Sequence, residues 1–491
     1  MEVANKISVD PIAKEIKVSK IMRNIIIVYL LYALMVGGIV FAFHSGSDSG
    51  YFNDNTVERF WSDEVGQDRV VLIEGRAYSG DARINLIENA KETLDIAYFT
   101  IDEGVSSDIF WGKILESANR GVKIRVLVDG FFHNFKGASK DIRYTLINHP
   151  NIQLKLYEPF CLIKPWTWNN RLHDKYIIVD RELAMIGGRN IGDRYFIQDN
   201  ANGDIVHDRD VLIINRDLEG YENSVVYEMK DYFDMVWNHE YTKGYSEKLK
   251  EDQIKKGKLK GKYLIQFIAD IEKSNPEVFN KSIDWHSKSM PTNKITLIHN
   301  PMGRLNKEPW VWGEIVRLME RAESSIFIQS PYVVPTKKML NYISTDDISS
   351  KETTILTNSR ETSPNYPGIA GYMKYRRNIV DSADYVYEYQ GIGSIHAKSY
   401  IIDDRISLVG SFNLDSRSAF LNTETMVVID SKEFSQELMG EIDQLTGQSL
   451  LVGKDYSYKD NPLVEEVKPH IIKGLIIKVL SLVTYFFDYL I

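Results

Sequence analysis

Residues Ile25 to Phe43 read IIIVYLLYALMVGGIVFAF, nineteen positions without a charge. Coiled as a helix, this run spans roughly 28 Å, about the hydrocarbon thickness of a bilayer. Lys6, Lys14, Lys17, Lys20 and Arg23 precede it. Asp48, Asp54, Glu58, Asp63, Glu64 and Asp68 follow it, with Arg59 as the one base among them. The basic flank places the N-terminus inside and the rest of the chain outside. The run is long for a secretory signal and no clean A-x-A site follows, which favours an uncleaved anchor over a cleaved leader. At the far end, His470 to Ile491 is apolar but interrupted by Lys473 and Lys478. That pattern predicts a helix lying in the headgroup region, or docked on the core, rather than a second span.

Between these ends the apolar pattern repeats. Asn89 to Thr100 (NAKETLDIAYFT) and Arg321 to Val333 (RAESSIFIQSPYV) each carry the end of an amphipathic helix and then a short apolar run suited to a buried strand. Val122 to Gly130 is a second strand, with Thr353 to Ser359 as its counterpart. Strands alternating with helices predict an α/β fold with helices covering a sheet. Arg171 to Asn190 matches Ser394 to Asn413 at an offset of 223 residues, so the α/β unit is duplicated. Residues 216–300 lack the pattern. Within them Glu247 to Lys262 holds seven lysines and three acids, the composition of a solvated helical connector or of a patch for anionic headgroups. The divisions expected are a tail and anchor (1–50), a first lobe (51–220), a connector (221–300), a second lobe (301–450) and a C-terminal tail with an interfacial helix (451–491).

The whole chain has 491 residues, too many for one ordinary core. A hydrophobic share of 44% and a charged share of 26% exclude wholesale disorder and a polytopic membrane protein. A net charge of −9 argues against a broadly basic nucleic-acid binder, so no nucleic-acid partner is expected. One cysteine, Cys161, cannot form an internal disulfide or a thiolate metal cluster.

The duplicated segment carries the candidate chemistry. The first half reads His173-x-Lys175-x4-Asp180-x6-Gly187-Gly188-x-Asn190. The second reads His396-x-Lys398-x4-Asp403-x6-Gly410-Ser411-x-Asn413. In an extended strand, residues two apart face the same way, so each half offers an imidazole and an ammonium on one side. Glycines then allow a tight turn, and Asn190 and Asn413 add amide donors beyond it. Two lysines and two amides suit the anionic oxygens of a phosphodiester. One imidazole can attack phosphorus while the other gives and takes the proton of an alcohol. The lysines supply the positive charge, no carboxylate cluster of metal-binding type is present, and neither metal nor cofactor is expected. Each histidine needs an acceptor on its other ring nitrogen. The candidates are Asp210, with Asp208 as its rival, and Glu424, all set in apolar runs. Asp180 and Asp403 either face substrate or are structural, bonding backbone or lysine. Glu158 to Asn169 (EPFCLIKPWTWN) is an aromatic loop directly before the first motif. Its Trp166 and Trp168 suit contact with a membrane surface, and packing in the core is the other reading.

The paired motifs resemble the HKD motifs of the phospholipase D superfamily. The strings IGGRNIGDRYF (186–196) and IHAKSYIIDDRISLVGSFNLDSRSAFLNTE (395–424) are similar to bacterial cardiolipin synthases. The resemblance implies two pseudo-symmetric α/β lobes, each a mixed sheet flanked by helices, behind an N-terminal transmembrane helix. It also implies one shared site at the lobe interface, a phosphohistidine intermediate and no metal. His173, Lys175, Asp180 and Asn190 carry over from the first motif, and His396, Lys398, Asp403, Ser411 and Asn413 from the second. Gly188 departs from the pattern, which has serine there. The expected activity is phosphatidyl transfer at the cell membrane, with phosphatidylglycerol as substrate and cardiolipin as product. A phospholipase D using water, an anchored nuclease and a catalytically idle scaffold are the alternatives. His173 is the expected nucleophile and His396 the acid and base, with the reverse order open. The oligomeric state and the acceptor alcohol are not legible.

Overall fold

A computed structural model of the chain describes residues 11–197, 205–245, 248–279, 283–344, 350–468 and 470–491. Lys6 lies outside these residues. Two mixed sheets dominate. The first has nine strands in the order Met290–Pro291, Asp68–Ile73, Asp210–Asn215, Leu183–Gly187, Lys175–Val179, Thr93–Tyr98, Lys123–Asp129, Ile152–Tyr157 and Thr242–Gly244. The second has eight, in the order Lys294–His299, Thr425–Asp430, Ile406–Gly410, Ser399–Ile402, Ser325–Gln329, Glu352–Asn358, Tyr385–Tyr389 and Ser449–Leu451. Apart from the short strand Met290–Pro291, the two orders match strand for strand. In each, a parallel set of three is joined antiparallel to the hairpin of the motif.

The strands carry apolar residues at successive positions because both faces of each sheet are covered. One cluster lies between the sheets. It draws Val70, Leu72, Tyr176, Ile178 and Ile213 from the first lobe and Phe327, Ile401, Val427 and Ile429 from the second. Helices Val225–Asn238 and Lys432–Thr446 contribute Phe233, Val236, Phe434 and Leu438 to it. The outer face of the first sheet packs on helices Arg76–Asn89, Val105–Asn119 and Glu251–Ser274, and that of the second on Trp310–Arg321 and Tyr366–Ser382. The lysine-rich segment is therefore built onto the first lobe. Its helix, Glu251–Ser274, buries Leu264 and Ile268 further along, and Gly112 and Gly257 let the helices approach closely.

One helix among the described residues, Lys20–Phe43, is long and apolar enough to cross a membrane. Its outer part presents Ile25, Val28, Leu30 and Leu31, each more than half exposed. Its inner end docks. A π-turn at Met35–Ile39 contains Gly37, which lies against Pro165, and Phe41 enters the second core. The C-terminal helix Ile471–Phe487 rests on Tyr366–Ser382 through Ile477 and exposes Ile472, Leu475, Leu482 and Phe486. Lys473 is not free for headgroups, because its ammonium donates to the carbonyls of Glu361 and Ser363.

Candidate active site

Each H-x-K segment straddles the entry to a strand. Lys175 opens its strand and Lys398 immediately precedes its own, while both histidines lie just outside. There the two lobes exchange short pairings. Leu172 bridges Thr423, and Ser394–Ile395 pairs in parallel with Val206–His207. The crossing delivers to each imidazole a carboxylate from the opposite lobe. His173 Nδ1 lies 2.9 Å from Glu424, and His396 Nδ1 lies 2.5 Å from Asp208 Oδ2. With Nδ1 engaged, the proton-exchanging and nucleophilic atom left on each ring is Nε2. Both rings line one cleft of about 960 Å³ at the lobe interface.

The strand register explains why Asp208, rather than Asp210, reaches a histidine. Gly187 pairs with Asp210 and the equivalent Gly410 pairs with Met426. Glu424 lies two residues before Met426, so its counterpart is Asp208. Asp210 faces a different set of partners. Ser79, Arg83 and Arg189 hold its carboxylate at 2.7–3.0 Å inside the first lobe. Gly188 and Ser411 stand at matching places and act differently. Ser411 Oγ donates to Glu424 at 2.5 Å, whereas a Cβ at Gly188 would sit 2.2 Å from Asp208 Oδ1. The missing side chain at Gly188 makes room for the shorter carboxylate.

Asp180 and Asp403 do not enter the cleft. Each sits at positive φ, 53° and 52°, in the tight turn of its hairpin, a conformation aspartate tolerates. Asp180 accepts the backbone N–H groups of Lys91, Glu92 and Thr93, and Asp403 those of Glu323, Ser324 and Ser325. They tie each hairpin to the start of the neighbouring strand. Asn190 and Asn413 do line the cleft, donating to the hydroxyls of Tyr195 and Tyr332. Trp168 turns inward, stacks on Phe160 and lines the cleft, while Trp166 is half-buried. The exposed apolar tip of that loop is Leu162 and Ile163 instead.

Burial dominates the electrostatics. It lowers Lys175 to about 7 and Lys398 to about 8, against the pull of Glu424 on the first and Asp208 on the second. Lys175 donates to the carbonyl of His173, and Lys398 to that of His396. Burial and then the lysines hold His173 well below the usual histidine range and His396 down to about 4. Glu424 is pushed up to about 7 by burial. Burial also acts to raise Asp208, but His396 and Lys398 overcome it and keep that carboxylate below its usual range. Neutral imidazoles beside desolvated ammonium groups are arranged to receive an anion, whose charge would raise both lysines again. Tyr195 and Phe99, which the spacing of the motifs did not single out, set their ring edges against His396 and His173 at 5.9 and 5.0 Å.

The chain matches the family described as cardiolipin synthase, PLD-like domain, over residues 84–237 and 315–446. It is similar to cardiolipin synthase C of Escherichia coli, 28% identical over 395 residues covering 72% of this chain and 80% of that one. It is also similar to cardiolipin synthase 1 of Staphylococcus epidermidis, 26% identical over 79% of this chain and 69% of that one. Among solved structures, phosphatidylserine synthase of Haemophilus influenzae superposes with a TM-score of 0.58 at 15% identity. That match covers 86% of this chain and 95% of the other, and at this identity it speaks for the fold.

Proposed function

The chain belongs to the cardiolipin synthase, PLD-like domain family, and from that premise we propose that it is a membrane-anchored phosphatidyltransferase that forms cardiolipin from two molecules of phosphatidylglycerol. The observation that carries this reading is one cleft holding both imidazoles, each oriented by the other lobe's carboxylate, at the end of an apolar helix suited to a bilayer.

His173 Nε2 attacks phosphorus of the donor. The bond from phosphorus to the headgroup glycerol oxygen breaks, and His396, made an imidazolium once the anionic donor joins Asp208 beside it, gives that oxygen its Nε2 proton. Glycerol leaves. His396 Nε2 then takes the proton of a hydroxyl on the second phosphatidylglycerol, whose oxygen displaces His173 from phosphorus. Lys175 and Lys398 hold the non-bridging oxygens, with Asn190 and Asn413 beside them. The assignment of roles follows the carboxylates. Asp208 stays ionised and stabilises the imidazolium that a general acid must be before it gives its proton, while Glu424, pushed up to about 7, is the weaker countercharge. The basic N-terminal flank puts the catalytic body outside the cytoplasmic face.

The full-length protein in vesicles of phosphatidylglycerol should release glycerol and cardiolipin in equal amounts, without metal. Accumulation of phosphatidic acid with no cardiolipin would instead establish a hydrolase, and cleavage of DNA or RNA alone a nuclease. Acid-free quenching and mass spectrometry should find the phosphatidyl adduct on His173. An adduct on His396 would reverse the two roles.

A further inference from the structure

From the ring of His173 a row of aromatic side chains runs along the cleft wall. Phe99 meets His173 edge-on at 5.0 Å and also lies 5.4 Å from the Lys175 ammonium. Phe132 follows at 5.0 Å from Phe99, Phe131 at 4.7 Å from Phe132, Phe160 at 4.9 Å from Phe131, and Trp168 at 5.5 Å from Phe160. All five rings line the cleft. Phe131, Phe132 and Phe160 are 39%, 40% and 45% exposed. Large aromatic rings left in water along one continuous path are costly unless an apolar partner covers them.

The far end of the row identifies that partner. Phe160 and Trp168 belong to the loop whose tip is Leu162 and Ile163, and the membrane helix holds this loop. Tyr29 and Tyr32 donate their hydroxyls to the carbonyls of Leu162 and Ile163, both at 3.0 Å. Asn169 donates to the carbonyl of Gly37 at 2.6 Å. The row is thus continuous with the one helix among the described residues that is long and apolar enough to cross a bilayer, and it ends at an imidazole. The wall around His396 differs. Tyr195 sets its ring edge against His396, and Arg194, Ser363 and Asn365 also line the cleft, with the apolar Val206, Ile395 and Pro364 among them. A continuous run of aromatic rings reaches His173, whereas the lining beside His396 mixes polar and apolar groups, and a phospholipid likewise has one apolar and one polar end.

We propose that the row Trp168–Phe160–Phe131–Phe132–Phe99 is an acyl-chain track. It guides one fatty-acyl chain of the donor phospholipid from the bilayer to His173 and turns the departing headgroup toward His396. This rests on the phosphatidyl-transfer reading for the identity of the lipid, but its first test needs no turnover. Full-length protein is placed in vesicles of phosphatidylglycerol bearing a diazirine midway along one acyl chain, irradiated, and mapped by mass spectrometry. Adducts should fall on residues 131–132 and 160–168. Adducts confined to the membrane helix and the C-terminal helix, or found on the Ser363–Asn365 side, would overturn the track. In a second arm, the variant Phe131→Ser/Phe160→Ser is assayed on dioleoyl- and on soluble dihexanoyl-phosphatidylglycerol. The ratio of long-chain to short-chain rate should fall about tenfold, one decade being about 1.4 kcal/mol. An equal loss on both would show that the rings only pack the site. Adducts on the row in a protein that makes no cardiolipin would leave the track standing and remove the transfer reading.

Discussion

Gly188 and Ser411 occupy equivalent positions, yet one must be small and the other must donate. Gly188→Ser should push Asp208 away from His396 and lower turnover by about one to two orders of magnitude, the usual loss when a catalytic base loses its orienting partner. Ser411→Gly should cost less, because Glu424 keeps a bond from Asn422. The buried lysines serve substrate at the expense of the fold. Lys175→Met should abolish transfer and raise the thermal midpoint. The gain should be greatest below about pH 7, where the native ammonium is charged and desolvated. It should shrink as pH rises past that value, since the native lysine then sheds its proton while the unfolded one keeps it. The same shift shapes catalysis. For an anionic substrate, kcat/KM in the pH profile should fall on the alkaline side as Lys175 and then Lys398 lose charge, from about 7 to about 8. On the acid side it should fall as the nucleophile His173, held well below the usual histidine range, takes a proton. Asp180→Ala and Asp403→Ala should instead lower stability by about 1–3 kcal/mol in denaturant melts, from the stranded backbone donors. Turnover per folded molecule should change little.

At the scale of elements, the membrane helix and the aromatic loop act together. The helix end needs glycine at Gly37 because Pro165 lies against it, and a Cβ there would approach within 3.0 Å of the Pro165 side chain. Two tyrosine hydroxyls on the helix then fix the loop tip. Removing both, as Tyr29→Phe/Tyr32→Phe, should loosen the tip by roughly 1 kcal/mol per bond. Chymotrypsin cleavage after exposed Leu162 should accelerate about tenfold in consequence, which gel electrophoresis over a time course would read. The hydrophobic run was plain in the sequence because nineteen uncharged residues have few other uses. Which way the tryptophans face was not, since the loop composition suits a bilayer surface and a cleft wall equally.

At the scale of the whole molecule, two sheets face each other and exchange strand ends, so neither lobe holds a complete site. Arg209 is a bolt across this interface. It binds Glu74 of the first lobe at 2.7 Å and, from the second, Gln329 and Ser399 at 2.5 and 2.8 Å. Arg209→Ala removes a buried charge and strands its partners. It should lower the free energy of unfolding by about 3 kcal/mol, measured by chemical denaturation.

The sequence by itself determined the duplicated α/β unit, the apolar N-terminal helix and the two H-x-K pairs. Strand period and helix length are local properties, and a spacing that occurs twice reports a repeated local structure. Asp208, placed as a rival to Asp210, could have been singled out by aligning the halves on Gly187 and Gly410. The tertiary structure decided which groups meet. It sent Asp180 and Asp403 to turns, gave Asp210 to Arg83 and Arg189, and crossed each histidine with a carboxylate more than 180 residues away. It also joined Phe99, Phe131 and Phe160 into one wall. Contacts between segments so distant along the chain depend on how the sheets face one another, which is settled by burial of both lobes at once and by no local pattern.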